Sequence, residues 1–315
     1  MIAAIAATFA LIAIGYAIAA ARVLKEGTGE GLADFVFTIA IPVLLFRTLS
    51  TADFTGAAPL PLWGAYFAAV TVTWCVATVL IRRVFGRDAR SGVVAGLAGT
   101  FSNLVLIGIP LIQSVFGPSG FAILALLLSI HLPLMMATTV ILMDGAEQRD
   151  GVATAAKGIG EVLGRFLHGM ALNPIVIGIL AGVAFRFVPL DLPPFVADLV
   201  DRIASVAGTL ALIALGMSLR KFGVARNAAQ GAAVAALKLG LMPALVTALA
   251  LLVDLPPLVA QVAIVSAAMP TGANPYLIAN RFGTGEALAS NAALLGTLVS
   301  PLTVLFWLFV ARSLF

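Results

Sequence analysis

Gly99-Thr100-Phe101-Ser102-Asn103-Leu104-Val105-Leu106-Ile107-Gly108-Ile109-Pro110 and Ser266-Ala267-Ala268-Met269-Pro270-Thr271-Gly272-Ala273-Asn274-Pro275 each interrupt a long apolar run near its middle. Proline removes a backbone donor and clashes with the preceding turn. Glycine weakens a helix by about 1 kcal/mol relative to alanine. Both stretches therefore unwind runs that otherwise read as helix. In lipid an unwound backbone has no water to satisfy its N–H and C=O groups, so it must line protein or a water-filled cavity. Whether the surroundings are lipid is a matter of composition, and composition answers it. The 315 residues are 62% hydrophobic and only 10% charged, with mean hydropathy +1.13, whereas a soluble domain is about 25% charged. These figures exclude an ordinary soluble enzyme, a disordered chain and a nucleic-acid binder. The net charge of +4 forms no basic stripe that could track a phosphate backbone.

Working outward from the two breaks, a membrane span needs about 20 mostly apolar residues. Ten such segments are present, at roughly 2–21, 33–51, 60–82, 92–116, 118–143, 170–188, 200–219, 228–252, 255–280 and 286–312. The runs are long and rich in Ala and Leu, without the alternation of a β-barrel, so helices are expected. The first run lacks a basic leader and is followed by further spans, so it reads as a true span and not a signal peptide. The expected fold class is all-α, integral to the membrane and multi-pass.

The basic residues orient it. Arg22, Lys25, Arg82, Arg83, Arg87, Arg90, Arg149, Lys157, Arg165, Arg220, Lys221, Arg226 and Arg281 follow odd-numbered spans, whereas Arg47, Arg186, Arg202 and Arg312 lie on the opposite side. The odd-numbered loops are thus expected in the cytoplasm and both termini outside the cytoplasm, in the inner (plasma) membrane.

An offset of 167 residues lays the first five spans on the last five and places Asn103 on Pro270. Two repeats are expected, at 1–143 and 170–315, joined by a cytoplasmic connecting loop at 144–169. Five spans is an odd number, so the second copy enters the membrane inverted. Inverted repeats with matched broken helices mark the midplane site of secondary transporters. A kink used only for packing is the alternative reading of either break alone.

Polar residues within the spans are few. All fourteen acidic residues lie in loops or near helix ends, so no buried carboxylate is available as a coupling group. Asn103, Ser102, Pro110, Pro270, Thr271, Gly272, Asn274 and Pro275 form the candidate substrate site, built from amides, hydroxyls and freed backbone. Half-helix N-termini at the midplane would add positive potential. Such a centre suits a small organic anion. Lys238, near the middle of span 8, either neutralises substrate charge, caps the carbonyls of a broken helix, or snorkels along its stem. His131, near the middle of span 5, reads as a neutral packing histidine or as a proton carrier. Arg47 closes span 2 and reads as a headgroup contact or an outer-vestibule residue.

Enzyme constellations are missing: there is no P-loop, no dinucleotide fingerprint and no nucleophile elbow. Cys75 stands alone and His131 and His168 lack ligand spacing, so neither a metal site nor a cofactor is expected. No enzymatic activity and no nucleic-acid partner are expected.

The span 4 stretch Ser102–Pro110 resembles the Asn-x-x-x-x-Gly-x-Pro crossover of the auxin efflux carrier family, which includes plant PIN proteins and bacterial malonate-type carboxylate carriers. Pro42–Ser50, Asn173-Pro174, Leu215–Leu219, Lys238–Pro243 and the second crossover Met269–Asn274 are similar too, so the resemblance covers essentially the whole chain. It implies ten helices in two inverted repeats, akin to bile-acid transporters and sodium–proton antiporters. Spans 1, 2, 6 and 7 would form a scaffold through which a homodimer would assemble, and spans 3–5 and 8–10 a transport domain moving as an elevator. The family likeness places Asn103 on the substrate carboxylate. The chain departs from plant members in its short central loop and in having no acidic residue in span 3. The implied substrate is a small organic anion, either auxin-like or a metabolite of the malonate, lactate or malate kind. A cation-coupled symporter of the bile-acid type and an anion channel remain the alternatives.

Overall fold

Proline and glycine punctuate a chain that is helical throughout the residues described by the computed structural model, namely 2–25, 27–52, 58–152, 160, 164, 168, 171–188, 191–220 and 228–315. The helices are α1 (Ile2–Ala20), α2 (Thr28–Thr51), α3 (Pro59–Val84) and α4 (Ala89–Thr100). A π-turn at Leu104–Gly108 leads into α5 (Ile109–Arg149). Then come α6 (Pro174–Phe185), α7 (Pro194–Leu219), α8 (Ala228–Leu252), α9 (Pro257–Ala268), α10 (Asn274–Phe282) and α11 (Glu286–Leu314).

Local chemistry explains the ends. A proline occupies one of the first two positions of α3, α6, α7, α9 and α10, where its missing N–H has no helical partner to lose. The Asn173 side chain caps α6 by accepting from Ile175 N at 2.9 Å and Val176 N at 3.4 Å. Asp88 caps α4 by accepting from Ser91 N at 2.8 Å. Gly117, at φ 64° and ψ −160°, bends the chain sharply inside α5, at the boundary expected between spans 4 and 5.

Seven helical stretches among the described residues are long and apolar enough to cross a membrane, against the ten expected. Three of the expected spans account for the difference. Spans 4 and 5 fall in one stretch, Ala89–Arg149, which the breaks at Phe101–Asn103 and Gly117 interrupt. Span 9 is divided into α9 and α10, and α9 is only 12 residues long. Span 6 is described as helix from Pro174, again for 12 residues. The connection expected to open at 144 begins later, because α5 runs on to Arg149. Lys157, Arg165, Lys221 and Arg226 lie outside the described residues.

The chain divides into two compact units. Unit 1 comprises the described residues of Met1–Ala57, Leu104–Ile130 and Leu167–Lys221, that is α1, α2, α6, α7 and the first half of α5. In lipid no hydrophobic gain drives helices together, so close packing and hydrogen bonds must do so. Unit 1 packs in that way. A Cβ on Gly15 would overlap the main chain of Ile213, and one on Gly216 that of Ile12, so α1 and α7 meet backbone to backbone. Gly178 and Gly182 of α6 likewise sit on the main chain of Pro42 and Phe46 in α2.

Unit 2 comprises the described residues of Ala58–Asn103, His131–Phe166 and Phe222–Phe315. Its centre is made of two half-length helices. Every residue of α4 except Arg90 is buried, and α9 is buried from Val259 to Ala268 apart from Gln261. Their Ala-, Gly- and Val-rich sequences let neighbours approach closely: Gly96 lies against Trp74 of α3, and Gly231 of α8 against Asn291 of α11. The resemblance assigned the whole of spans 4 and 5 to the same body as spans 3 and 8–10. In the structure, residues 104–130 belong instead with α1, α2, α6 and α7, because Pro110 packs against Gly208 of α7.

Candidate functional site

Both central half-helices of unit 2 stop where their sequences change character. After Thr100 the chain turns extended at Phe101 (φ −66°, ψ 120°), and after Ala268 it does so at Met269 (φ −63°, ψ 141°). Backbone groups freed inside a protein must find partners, and here they do. Phe101 N–H still donates to Leu97 O at 2.8 Å. Ser102 N–H donates to His131 Nε2 at 3.4 Å. Asn103 N–H donates to the carbonyl of Pro270 at 2.9 Å. The two breaks are therefore hydrogen-bonded to each other.

Side chains complete the support. His131, 1% exposed, accepts through Nε2, which places its proton on Nδ1. Its ring packs among Phe101, Tyr66 and Phe67 with centroids at 5.1, 5.8 and 6.2 Å. The Tyr66 and Ser102 hydroxyls are hydrogen-bonded at 2.9 Å. His131 thus packs against and hydrogen-bonds to the first break. Tyr66 and its role escaped the sequence reading. The one available signal was a phenol within an apolar span, since a buried tyrosine hydroxyl usually finds a polar partner.

Lys238 lies on an irregular π-turn, Leu237–Leu241, inside α8 and is 1% exposed. Its Nζ donates to the Ala267 carbonyl in the last turn of α9. A cation at a helix C-terminus opposes the partial negative charge of the terminal carbonyls. The contact lies at the C-terminal end of α9, next to the second break. Trp307 of α11 donates from Nε1 to Leu239 O at 2.8 Å, within the same π-turn.

The remaining predicted residues fall as follows. Ser102, Asn103, Pro270, Thr271 and Gly272 are buried at the two breaks. Gly272 stands beside the Asn103 amide: a Cβ there would lie 3.5 Å from Cγ and 3.6 Å from Nδ2. Asn274 opens α10 and is half-buried, and Pro275 behind it is buried. The N-cap residue of α10, Ala273, makes no side-chain cap bond of its own. Pro110 is not grouped with them, because it belongs to unit 1 and lines a cavity there.

Three hydroxyls, Thr73 Oγ1, Ser266 Oγ and Thr271 Oγ1, are buried and have no protein hydrogen-bond partner among the described residues, and the last two lie at or next to the second break. A buried polar group left in that condition costs about 1–3 kcal/mol, so it marks a place where a polar guest is favoured. Lys238 is the one charged side chain buried among the described residues, and no Asp or Glu is buried among them. The centre of unit 2 therefore combines amide, hydroxyl, helix N-terminus and ammonium, without a carboxylate.

A second network steadies the far end of α4. Asp150, just beyond α5, accepts from Ala89 N at 2.9 Å, Arg90 N at 3.0 Å and Arg90 Nε at 3.1 Å. Asp88 accepts from Thr284 Oγ1 at 3.2 Å, and Thr284 Oγ1 is also bonded to Ser91 Oγ at 2.8 Å. Burial raises the Asp88 carboxyl, but hydrogen bonds from Ser91 and Thr284 and the nearby Arg90 charge outweigh it and hold the group below its ordinary value.

Residues 1–308 match the family described as membrane transport protein. The chain is 28% identical over 319 residues to a Rhizobium meliloti (strain 1021) protein named "Putative malonate transporter", covering 97% of this chain and 94% of that one. It is 24% identical over 301 residues to an "Uncharacterized transporter" of Methanothermobacter thermautotrophicus, covering 94% of each. It is also 24% identical over 218 residues to the mouse "Lysosomal cholesterol signaling protein", which covers 67% of this chain but only 25% of that larger protein.

Proposed function

This chain belongs to the membrane transport protein family, the auxin efflux carrier family of the sequence resemblance, and from that premise we propose that it is a secondary carrier of small carboxylates of the malonate kind. It is a multi-pass membrane transporter and not an enzyme. The observation that carries the substrate class is the charge of the buried centre: Lys238 is buried and no described acidic residue is. A carboxylate entering there meets one cation and no like charge. The relative named for malonate agrees with that chemistry.

In this reading the guest takes hydrogen bonds from the Asn103 amide and from Thr271 Oγ1, with Ser102, Pro270, Gly272, Asn274 and Pro275 shaping the two breaks. Charge-assisted bonds of this kind are about twice as strong as neutral ones. Lys238 acts at one remove, through the Ala267 carbonyl that it caps. His131 is a positioning residue and not a proton carrier, because its Nε2 is committed to Ser102 N–H. Unit 2 is the moving body of an elevator and unit 1 its support. Ten spans in two inverted repeats, at 1–143 and 170–315, underlie the movement, with both termini outside the cytoplasm in the cell membrane.

The test is counterflow in proteoliposomes. Radiolabelled malonate should accumulate transiently against unlabelled internal malonate, saturably and without a sodium gradient. An ohmic malonate current without counterflow overturns the carrier reading, and strict dependence on sodium selects the cation-coupled symporter in its place.

A further inference from the structure

Unit 1 holds an open cavity of about 340 Å³ that shares only Pro110 with the crossover stretches. That volume is at the small end of ordinary ligand pockets, which begin near 300 Å³. Four helices wall it: α1 with Thr8, α2 with Arg47, α5 with Gln113 and Ser114, and α7 with Ser205 and Thr209. Pro110 and Gly208 contribute small surface where α5 meets α7.

The polar groups differ in what they offer. Thr8, Ser114 and Ser205 donate their hydroxyl protons to carbonyls of their own helices, at 2.9, 2.9 and 2.7 Å. The donors directed to a guest are therefore the Gln113 amide, the Thr209 hydroxyl and above all the Arg47 guanidinium. Arg47 is held by its Nε edge to Asp201 of α7, a residue that does not line the cavity. A guanidinium has five N–H donors in a fixed fork, so four remain after that pairing. Both partners are substantially exposed, at 44% and 52% of their side chains, and exposed ion pairs are weak. Asp201 thus orients the guanidinium without locking it.

We propose that this cavity is a second oxyanion site, in which Asp201 holds Arg47 ready and an incoming carboxylate or phosphate takes over its guanidinium in bidentate fashion. Gln113 and Thr209 supply further donors. The occupant is either a free small carboxylate or the phosphate of a lipid headgroup, which present the same chemistry to Arg47. The site needs only oxyanion binding at Arg47, so it stands or falls apart from the crossover reading.

A reporter inside the cavity tests it. Cys75 is the sole cysteine, so full-length Cys75→Ser, Ser205→Cys protein carries one thiol on the cavity wall. Maleimide labelling is timed in delipidated detergent with and without malonate, and in nanodiscs of phosphatidylcholine with and without phosphatidylglycerol. Melting temperature and gel filtration confirm that each variant is folded. Malonate should slow labelling at least fivefold. Arg47→Gln should abolish that protection, Asp201→Asn should lower the half-protecting concentration severalfold, and Asn103→Ala should leave protection intact. Slowing by phosphatidylglycerol alone that is lost in Arg47→Gln also upholds the site and identifies a headgroup as its occupant. The proposal fails if neither anion slows labelling, if protection survives Arg47→Gln, or if Asn103→Ala removes it.

Discussion

The main-chain N–H of Asn103 and the carbonyl of Pro270 form a 2.9 Å hydrogen bond, and these are the two positions that a 167-residue offset lays on one another. Proline has no N–H to give, but its carbonyl remains, so one break supplies the donor and the other the acceptor. Side chain and backbone of Asn103 thereby serve different ends. Asn103→Ala removes the amide and keeps the bond to Pro270, so it should weaken malonate affinity about 10- to 100-fold, as expected for loss of a hydrogen bond to a charged group, with little change in melting temperature. Asn103→Pro removes the N–H and should lower the melting temperature sharply. Calorimetric titration and thermal unfolding on the same preparations separate the two. Wild-type malonate affinity in Asn103→Ala would remove that residue from the site.

Gly272 offers a complementary probe. A methyl there would sit in ordinary contact with the Asn103 amide, 3.5 Å from Cγ, without displacing it. Gly272→Ala is expected to fold normally and to bind malonate at least several-fold more weakly, because the methyl occupies space beside the amide. Equal affinity in wild type and variant would place the guest elsewhere.

For Lys238, charge and hydrogen bond can be separated. Lys238→Gln keeps an N–H donor for the Ala267 carbonyl and loses the cation, so its melting temperature should stay near wild type while anion affinity falls severalfold. Lys238→Met loses both and leaves a buried carbonyl unsatisfied, at a cost of about 1–3 kcal/mol, so it should melt lower as well. If the two variants melt alike, the hydrogen bond to Ala267 contributes nothing measurable.

Acid should loosen the α4 end of unit 2. The Asp88 carboxyl is held below its ordinary value in the folded protein. Its contribution is therefore complete above the unfolded value of about 3.9 and is lost as pH falls through the lower folded value. Asp88→Asn keeps a cap acceptor for Ser91 N but cannot titrate, so its melting temperature should fall less steeply with acid than that of wild type. Parallel curves would show that another group dominates.

In unit 1 the tightest contact is between α1 and α7. Gly216→Leu would drive a side chain into the main chain of Ile12 and Tyr16, which neither helix can accommodate without separating. Loss of the monodisperse peak in gel filtration is expected, whereas Gly240→Ala, at a position with open space around it, should leave the peak intact.

Much of this was legible in one dimension. Helix is the economical way to satisfy a backbone in lipid, so composition alone implied a helical membrane protein. Pro270, Gly272 and Pro275 had to break their span, because proline and glycine act through their own backbone and need no partner to do so. The absence of acids from the span centres was equally plain, since desolvating a charge is costly wherever the helix packs.

What the tertiary structure alone decided is which groups meet. Nothing in the spacing of Lys238 and Ala267, or of His131 and Ser102, announces a hydrogen bond across 29 residues. The same holds for Tyr66 with Ser102 and for Arg47 with Asp201. Pro110 reads as part of one motif with Asn103, yet it packs on Gly208 in the other unit, because the helix restarts at Leu104 and carries it there. Hydropathy and backbone preference are properties of a residue and its chain neighbours, and the sequence alone determines them. Pairing depends on how close-packed helices bring distant residues within about 3 Å of one another, and that distance exists only in the folded chain.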